Sequence, residues 1–337
     1  MARKQTALAI KLAFVILLLL WVALSLYTVF GSFDFSGIGL SALLYSLGKA
    51  CGLIGFFMLS SLIISGDFAR FFDRYFGLDR IIAFHRRYSL LVAVFVILHP
   101  IFFVLSSGSL NYLIPKFQAI PLFLGILAFY SYIVIEISSR IAKRIPYMWW
   151  QYLHALIYAL FILSLSHALQ IGSDTKSGPV PVAMALLFLG VLAGGIYRAV
   201  YKLRQRSRKY FVKEVRWETK DTFTIVLKQS QKLSFKPGQF CFLRLEKPGL
   251  HWRHPISISS APHEEDLEFT IKLKGRFTKA ASQLKPGEEV KLEGPFGIFT
   301  LEEERNEIVF IAFGVGITPF TSFIRDAEHS GGKQFTL

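Results

Sequence analysis

The chain has 337 residues, enough for about two domains of ordinary size, and 53% of them are hydrophobic whereas only 18% are charged. A soluble domain usually has about 25% charged residues, so an entirely soluble chain is not expected. The net charge of +15 lies mostly beside apolar segments, which argues against a nucleic-acid-binding face. The two cysteines, Cys51 and Cys241, are too few for a disulfide framework or a multi-cysteine metal site.

Six apolar segments each have about the 20 residues needed to span a lipid bilayer. They occupy residues 8–30, 40–65, 81–105, 119–137, 149–170 and 180–201. Basic residues concentrate in the loops on one side, whereas Lys116 and Lys176 are almost alone on the other. The positive-inside rule therefore predicts a multi-pass protein of the cell (plasma or inner) membrane with both termini in the cytosol.

Four histidines lie in these segments, His85 and His99 in the third and His154 and His167 in the fifth. Because the two segments run in the same direction, His85 and His154 are expected near the cytosolic side, and the other two nearer the outer side. His85 and His99 share a helix face about 21 Å apart, which suits two stacked haems, each held by one histidine from each segment. His154 and His167 lie roughly 140° apart on an ideal helix, which fits less well. A proton relay or a metal-transport path is the alternative.

Beyond residue 210 the pattern changes to short β-rich segments at 211–217, 222–227, 240–245, 255–259, 267–273 and 289–292, separated by turn signals. Such spacing predicts a small antiparallel β-barrel. An apolar strand at 307–313, a glycine turn and a helix then predict the start of an α/β nucleotide-binding unit. The predicted architecture is a membrane all-α six-helix bundle (1–205), a small antiparallel β-barrel domain (206–303) and the truncated start of an α/β nucleotide-binding domain (304–337).

Three motifs in the soluble part are candidate binding sites. An extended strand exposes alternate residues on one face, although residues 253–260 alone read as an ordinary strand with serines, and a glycine before a helix start suits a phosphate. A strand followed by GxGxTP and a helix is typical of a pyrophosphate loop. The candidate residues are Arg253, His254, Pro255, Ile256, Ser257, Ser259 and Ser260; Lys272, Gly275, Phe277 and Thr278; and Gly314, Gly316, Thr318 and Pro319. Lys272 is explained equally well as a solvated strand charge.

Together these features resemble the ferric reductase and NADPH oxidase superfamily, whose members carry two histidines in the third and two in the fifth of six membrane helices. The resemblance covers nearly the whole chain. It implies that His85 pairs with His154 on an inner b-type haem and His99 with His167 on an outer one. It also implies FAD at residues 253–260 and 272–278, and NADPH or NADH at residues 314–319.

Lys49 is the candidate catalytic residue on the outer side. It is expected about 13 Å deep, level with His99, where an unpaired cation costs about 2.5–3.5 kcal/mol. A haem propionate is the expected partner, and snorkelling to the outer surface is the alternative. Lys49 resembles a basic residue that, in the oxidase branch, helps to hold oxygen beside the outer haem. That branch also has a further histidine one turn after the outer ligand, where this chain has Phe103.

The expected function is transfer of electrons from NAD(P)H through FAD and two b-type haems to an outer acceptor. The acceptor is O2, giving superoxide, or a ferric or cupric chelate. A dinucleotide-binding half requires a full βαβαβ unit, so a truncated chain, a separate dehydrogenase half or a homo-oligomer is expected, with weak or no nicotinamide-driven activity. The rivals from other classes are a non-enzymatic haem-bearing subunit that docks a separate reductase and a histidine-relay transporter. The compact six-helix core favours a prokaryotic NADPH oxidase.

Overall fold

The first part of the chain is helical. The computed structural model describes residues 2–31, 39–176, 178–247, 250, 252–301, 307–330 and 334–336. Its first helices are α1 (Ala2–Phe30), α2 (Leu40–Asp67), α3 (Ala69–Phe76), α4 (Leu78–Ser107), α5 (Ile120–Arg140), α6 (Tyr147–Ile171) and α7 (Val180–Ser207). All of these except α3 are long and apolar enough to cross a membrane, which confirms the six predicted segments and a multi-pass membrane protein.

The chain divides into two compact units that are not continuous in sequence. The first comprises Met1–Ala69 and Asp79–Arg198, and the second comprises Arg70–Leu78 and Ala199–Leu337. Helix α3, which the hydropathy pattern did not predict, therefore belongs with the second unit rather than with the membrane helices on either side of it.

Helix α2 is the central helix of the first unit. Its most apolar 18-residue window is 72% buried, whereas the corresponding windows of the other spanning helices are between 6% and 22% buried. Small residues allow close helix packing, and Gly48, Gly52 and Gly55 of α2 all lie against side chains or backbone of α4. Phe56 of α2 stacks on Phe161 of α6 with ring centroids 5.5 Å apart.

A buried carboxylate joins three helices at the end of α2. The side chain of Asp67 is 2% exposed, and its Oδ1 accepts hydrogen bonds from the Tyr158 hydroxyl of α6 at 2.6 Å and from Arg198 of α7 at 3.1 Å. Burying a charge without a partner is costly, so the two donors stabilise Asp67 in this position. The three residues thereby fasten the end of α2 to α6 and α7.

The second unit is built on a six-stranded antiparallel sheet. Its strands are β1 (Tyr210–Trp217), β2 (Thr222–Gln229), β3 (Phe240–Arg244), β4 (His254–Ser257), β5 (Leu267–Lys272) and β6 (Glu289–Phe296), in the order β4-β3-β6-β1-β2-β5. The alternating pattern buries Tyr210, Phe223 and Phe269 in its core. The predicted antiparallel sheet is confirmed, but it is not closed into a barrel. Beyond the four-residue β4, Ser259 donates one backbone hydrogen bond of 2.9 Å to Glu268 of β5.

Helix α3 packs on the end of β6. The Asp73 side chain is 4% exposed and accepts a hydrogen bond from the backbone N–H of Gly297 at 3.1 Å. The Arg70 guanidinium lies over the Phe296 ring, 4.6 Å from its centroid. A buried charge-assisted hydrogen bond and a cation–π contact thus hold this short helix to the sheet.

A short helix, α8 (Arg276–Ala281), connects β5 to β6. After the sheet the chain continues as strand, turn, helix and strand. Strand β7 (Glu307–Val309) leads through a 3₁₀ turn (Gly314–Ile317) to α9 (Thr318–Ser330), and β8 (Gln334–Thr336) pairs with β7 in parallel. The parallel pair is the start of the predicted α/β unit, although β7 is shorter than the predicted strand at 307–313.

Candidate electron-transfer site

Helices α4 and α6 bring the four membrane histidines together in two pairs. The ring centroids of His85 and His154 are 6.3 Å apart, and those of His99 and His167 are 6.2 Å apart. Helix α6 is continuous through both of its histidines. The awkward 13-residue interval is therefore accommodated by rings that reach their partners from different sides of α6.

Backbone carbonyls orient the two rings of the His99–His167 pair, which the charge pattern predicts to be the outer one. The Nδ1 atom of His99 is 2.8 Å from the carbonyl oxygen of Gly48, and the Nδ1 atom of His167 is 2.7 Å from that of Pro121. A carbonyl only accepts, so each Nδ1 carries the proton and each Nε2 keeps a free lone pair. Hydrogen bonding of the second ring nitrogen is the usual arrangement around metal-binding histidines.

Glycines on neighbouring helices make room for these rings. A Cβ atom at Gly52 of α2 would lie 2.6 Å from His99 Nδ1, and one at Gly125 of α5 would lie 2.5 Å from His167 Nδ1. A Cβ at Gly66 would be 3.6 Å from His85 Cε1, which is ordinary contact. Sequence reasoning missed Gly52 and Gly125, because a glycine in an apolar helix does not reveal which side chain it faces.

The spacing of each pair fits one iron ion. Metal–imidazole bonds of about 2.0–2.1 Å on both sides of a metal place the ring centroids about 6–6.5 Å apart. Among the described residues no group of three or more His, Cys, Asp or Glu side chains gathers around one point. Two axial imidazoles are nevertheless enough for a haem iron, since the porphyrin supplies the other ligands. His99 and His167 also line a cavity of about 240 Å³, and its wall is largely apolar.

Lys49 lines the same cavity and is paired. Its Nζ atom lies 2.6 Å from Oδ2 of Asp174 and 3.4 Å from the hydroxyl of Ser173, both in the loop after α6. The sequence predicts that Lys49 pairs with a haem propionate or snorkels to the outer surface. It does not predict the pairing with Asp174. Phe103, at the position singled out by the resemblance, packs edge-on against His99 with centroids 5.0 Å apart.

In the second unit, stacked rings join the two predicted flavin-binding segments. The ring of His254 on β4 lies on that of Phe277 on α8, with centroids 3.7 Å apart and an interplanar angle of 19°. Burial lowers the pKa of His254, so its neutral form is favoured. Pro255 is exposed, Ile256 and Ser257 are half-buried, and all three lie on the edge strand of the sheet.

The two serines that follow β4 point into the protein. Ser259 and Ser260 are 2% and 0% exposed. The Ser260 hydroxyl accepts a hydrogen bond from the backbone N–H of Glu268 at 3.1 Å, and the Ser259 hydroxyl accepts one from Thr270 at 3.2 Å. Their side chains thus hold this segment to β5, and the Ser260 carbonyl accepts a hydrogen bond from the Ser322 hydroxyl of α9 at 2.7 Å.

The candidate cations of this region are paired with carboxylates. Arg253 donates to Glu293 at 2.7 Å, and Lys272 lies 3.0 Å from Asp221. The hydrogen bond from Lys272, together with those from two threonines, lowers the pKa of Asp221. Lys272 therefore occupies the solvated-strand position that the sequence analysis left open.

The predicted phosphate-contacting turns are closed by threonines. The Thr278 hydroxyl accepts from the backbone N–H of Gly275 at 3.0 Å. In the GxGxTP turn, Gly314 has φ of +56°, a conformation that favours glycine. Thr318 is 3% exposed and donates to the Val315 carbonyl at 2.6 Å. Gly316 and Pro319 stand on either side of Thr318, and space is open around Gly316.

Comparisons with known proteins give two family profiles that match this chain. The profile of the family described as "Ferric reductase like transmembrane component" matches residues 51–165, and that of an "FAD-binding domain" matches residues 207–300. The chain is 26% identical over 244 residues to a superoxide-generating NADPH oxidase heavy chain of Dictyostelium discoideum, covering 65% of this chain and 34% of that one. It is 25% identical over 298 residues to human dual oxidase 2, covering 76% and 18%.

A further relative matches a shorter part of the chain. The chain is 30% identical over 139 residues to the toluate 1,2-dioxygenase electron transfer component of Pseudomonas putida, covering 40% of this chain and 41% of that one. Among solved structures, the FAD/NAD-binding domain of nitric oxide dioxygenase from Vibrio cholerae is 24% identical, with a TM-score of 0.34 over 38% of this chain and 60% of that one. The chain spans less than half the length of each of the three curated relatives.

Proposed function

We propose that this chain, a homologue of NADPH oxidase and dual oxidase heavy chains with a ferric-reductase-like transmembrane component and an FAD-binding domain, is a transmembrane oxidoreductase. It carries electrons from NAD(P)H to an acceptor on the outer face, with FAD and two b-type haems as carriers. The observation that carries the proposal is the pairing of the four membrane histidines at 6.2 and 6.3 Å.

The protein's own contribution inside the membrane is to fix imidazoles. His85 with His154 would hold one iron, and His99 with His167 the other. The carbonyls of Gly48 and Pro121 keep the outer Nε2 lone pairs available for a metal. When bound, haem would supply one-electron chemistry at each histidine pair.

The second unit would hold the flavin. Its exposed β4 edge and the His254–Phe277 stack are the surfaces offered to FAD, and the GxGxTP turn is the surface offered to NADPH or NADH. When bound, a flavin converts a hydride into single electrons. The basic loops favour the cytosolic side of the cell membrane for this unit and for both termini.

The proposed acceptor is dioxygen, which accepts one electron to give superoxide. The printed name of the Dictyostelium relative says that it generates superoxide. The family described as ferric-reductase-like gives ferric or cupric chelates as the second candidate. Both candidates use the same haems and differ only in what reaches the outer pair.

Absorption spectroscopy of the purified full chain tests the proposal. We expect a Soret band with b-type α-bands, two haems per chain, and flavin fluorescence after denaturation. The variants His99→Leu and His154→Leu should each lose about one haem. His329→Leu, a change outside the membrane helices, is the matched control and should retain both haems.

Electron entry and exit are measured separately. The protein is mixed anaerobically with NADPH, NADH or dithionite, and oxygen or a ferric chelate is then admitted. Haem reduced by dithionite but by neither nucleotide would assign the nicotinamide step to a separate reductase. Colourless protein, or spectra unchanged in the histidine variants, would refute the haem assignment and favour the transporter alternative.

A further inference from the structure

A half-buried ion pair lies at the outer cavity beside His99. The side chains of Lys49 and Asp174 are 24% and 18% exposed, and 2.6 Å separates their charged atoms. Both residues line the cavity that His99 and His167 also line. Lys49 directly follows Gly48, whose carbonyl holds the His99 ring, so the pair is close to the outer imidazoles.

Asp174 changes the charge that Lys49 presents to an incoming electron acceptor. An unpaired lysine at a partly dry cavity is a positive site that attracts anions and stabilises added negative charge. Pairing with Asp174 cancels the net charge and occupies the ammonium group. The same pairing removes the cost of a lone cation at this depth, so no propionate is needed to explain the position of Lys49.

We propose that Asp174 determines acceptor specificity at this site. By holding Lys49 it leaves no unpaired cation among the described residues that line the cavity beside the outer histidine pair, so an uncharged diatomic acceptor is not disfavoured there and anionic ferric chelates gain no electrostatic advantage. The inference rests on the proposed function and deepens it by naming an uncharged acceptor. The electron step needs no other reactant: the proposed outer carrier would give up one electron, dioxygen would accept it to become superoxide, and no bond would break and no proton would move.

The first test is the reduction potential of the outer haem in the full chain, measured by spectroelectrochemistry. Asp174→Asn removes a negative charge and should raise the potential, because reduction adds an electron. Lys49→Met should lower the potential. The double variant should return near the wild-type value. Lys116→Met, which removes an outer-side cation bonded to Asn111 and outside the cavity lining, is the matched control and should leave the potential unchanged.

The second test compares acceptors after reduction with dithionite, which bypasses the nicotinamide step. In Asp174→Asn the ratio of the ferricyanide rate constant to the oxygen rate constant should rise about ten-fold at low ionic strength, the lower end of the range for charge-steered encounters. High salt should abolish the rise. Asp174→Glu keeps the charge and should retain the wild-type ratio. If Asp174→Asn loses haem, the acceptor ratio of Asp174→Glu is compared with that of the wild-type protein instead.

Three results would overturn the assignment. They are potentials that move in the same direction in both single variants, an unchanged acceptor ratio in Asp174→Asn, and a raised ratio in Asp174→Glu. Failure of the proposed function looks different, because the wild-type protein would then lack two haems or would not pass electrons to oxygen after chemical reduction.

Discussion

Alanine at position 125 is expected to displace the outer haem and spare the inner one. The added Cβ would lie 2.5 Å from His167 Nδ1 and 2.7 Å from its Cε1, whereas ordinary contact begins at 3.4 Å. The ring therefore has to retreat by about 0.9 Å, which is a large displacement for an axial ligand. It also loses its good geometry to the Pro121 carbonyl.

Two independent scales give the size of the effect. Overpacking of this kind costs about 1–3 kcal/mol, and loss of a hydrogen bond that orients a metal-binding histidine weakens metal binding about 10- to 100-fold. These agree, since 1.4 kcal/mol corresponds to about a factor of ten. We expect outer-haem affinity to fall by about 10- to 100-fold, with haem content falling from two towards one per chain.

The assay is haem content per chain, with each haem resolved by redox titration. Gly66→Ala is the matched control beside the inner pair, because its Cβ would meet His85 at an ordinary 3.6 Å. Gly195→Ala, where no atom lies within 4 Å of the new Cβ, controls for a helical glycine-to-alanine change. Two haems with unchanged potentials in Gly125→Ala would refute the reasoning.

Three other outcomes are expected. Replacing Asp67 with leucine should lower the free energy of unfolding by about 1–3 kcal/mol, less than for a fully buried pair because Arg198 is 44% exposed. Thermal unfolding in detergent measures this change. The control variant Glu136→Gln, which breaks the pair with Arg140, should change the free energy by less than about 1 kcal/mol. Burial raises the pKa of Cys241 to about 12, so thiol reagents at pH 8 should label it only after unfolding, and rapid labelling of native protein would contradict its burial. The depressed pKa of His254 means that the unfolded chain takes up the proton first, so stability should be full above about pH 6.5 and fall as the pH drops below it; His254→Gln should flatten that dependence of the melting temperature.

The features that follow from chain-local pattern were predictable. A spanning helix needs only length and hydropathy, and the depth of a histidine follows from its position along the helix. That is why the six segments and the pairing of the histidines of α4 with those of α6 could be predicted. The alternating strands of the second unit are read from the same kind of local periodicity.

The features that depend on how helices rotate against one another could not be predicted. Which residue meets Lys49, and which glycine clears His167, depends on packing between segments more than 40 residues apart. No local signal marks Asp174 as a partner, because an acidic residue in an outer loop is ordinary. The open sheet has a similar cause, since the length of β4 depends on how the chain leaves the strand after Ser257.

Helix α3 sets a practical boundary for dissecting this molecule. Residues 70–78 are separated from the rest of their unit by more than a hundred positions in sequence, yet Asp73 and Arg70 cover Gly297 and Phe296. A fragment beginning at residue 206 would leave that aromatic ring and amide uncovered. Adding a peptide of residues 69–76 in trans, or grafting it onto the fragment, should restore these two contacts.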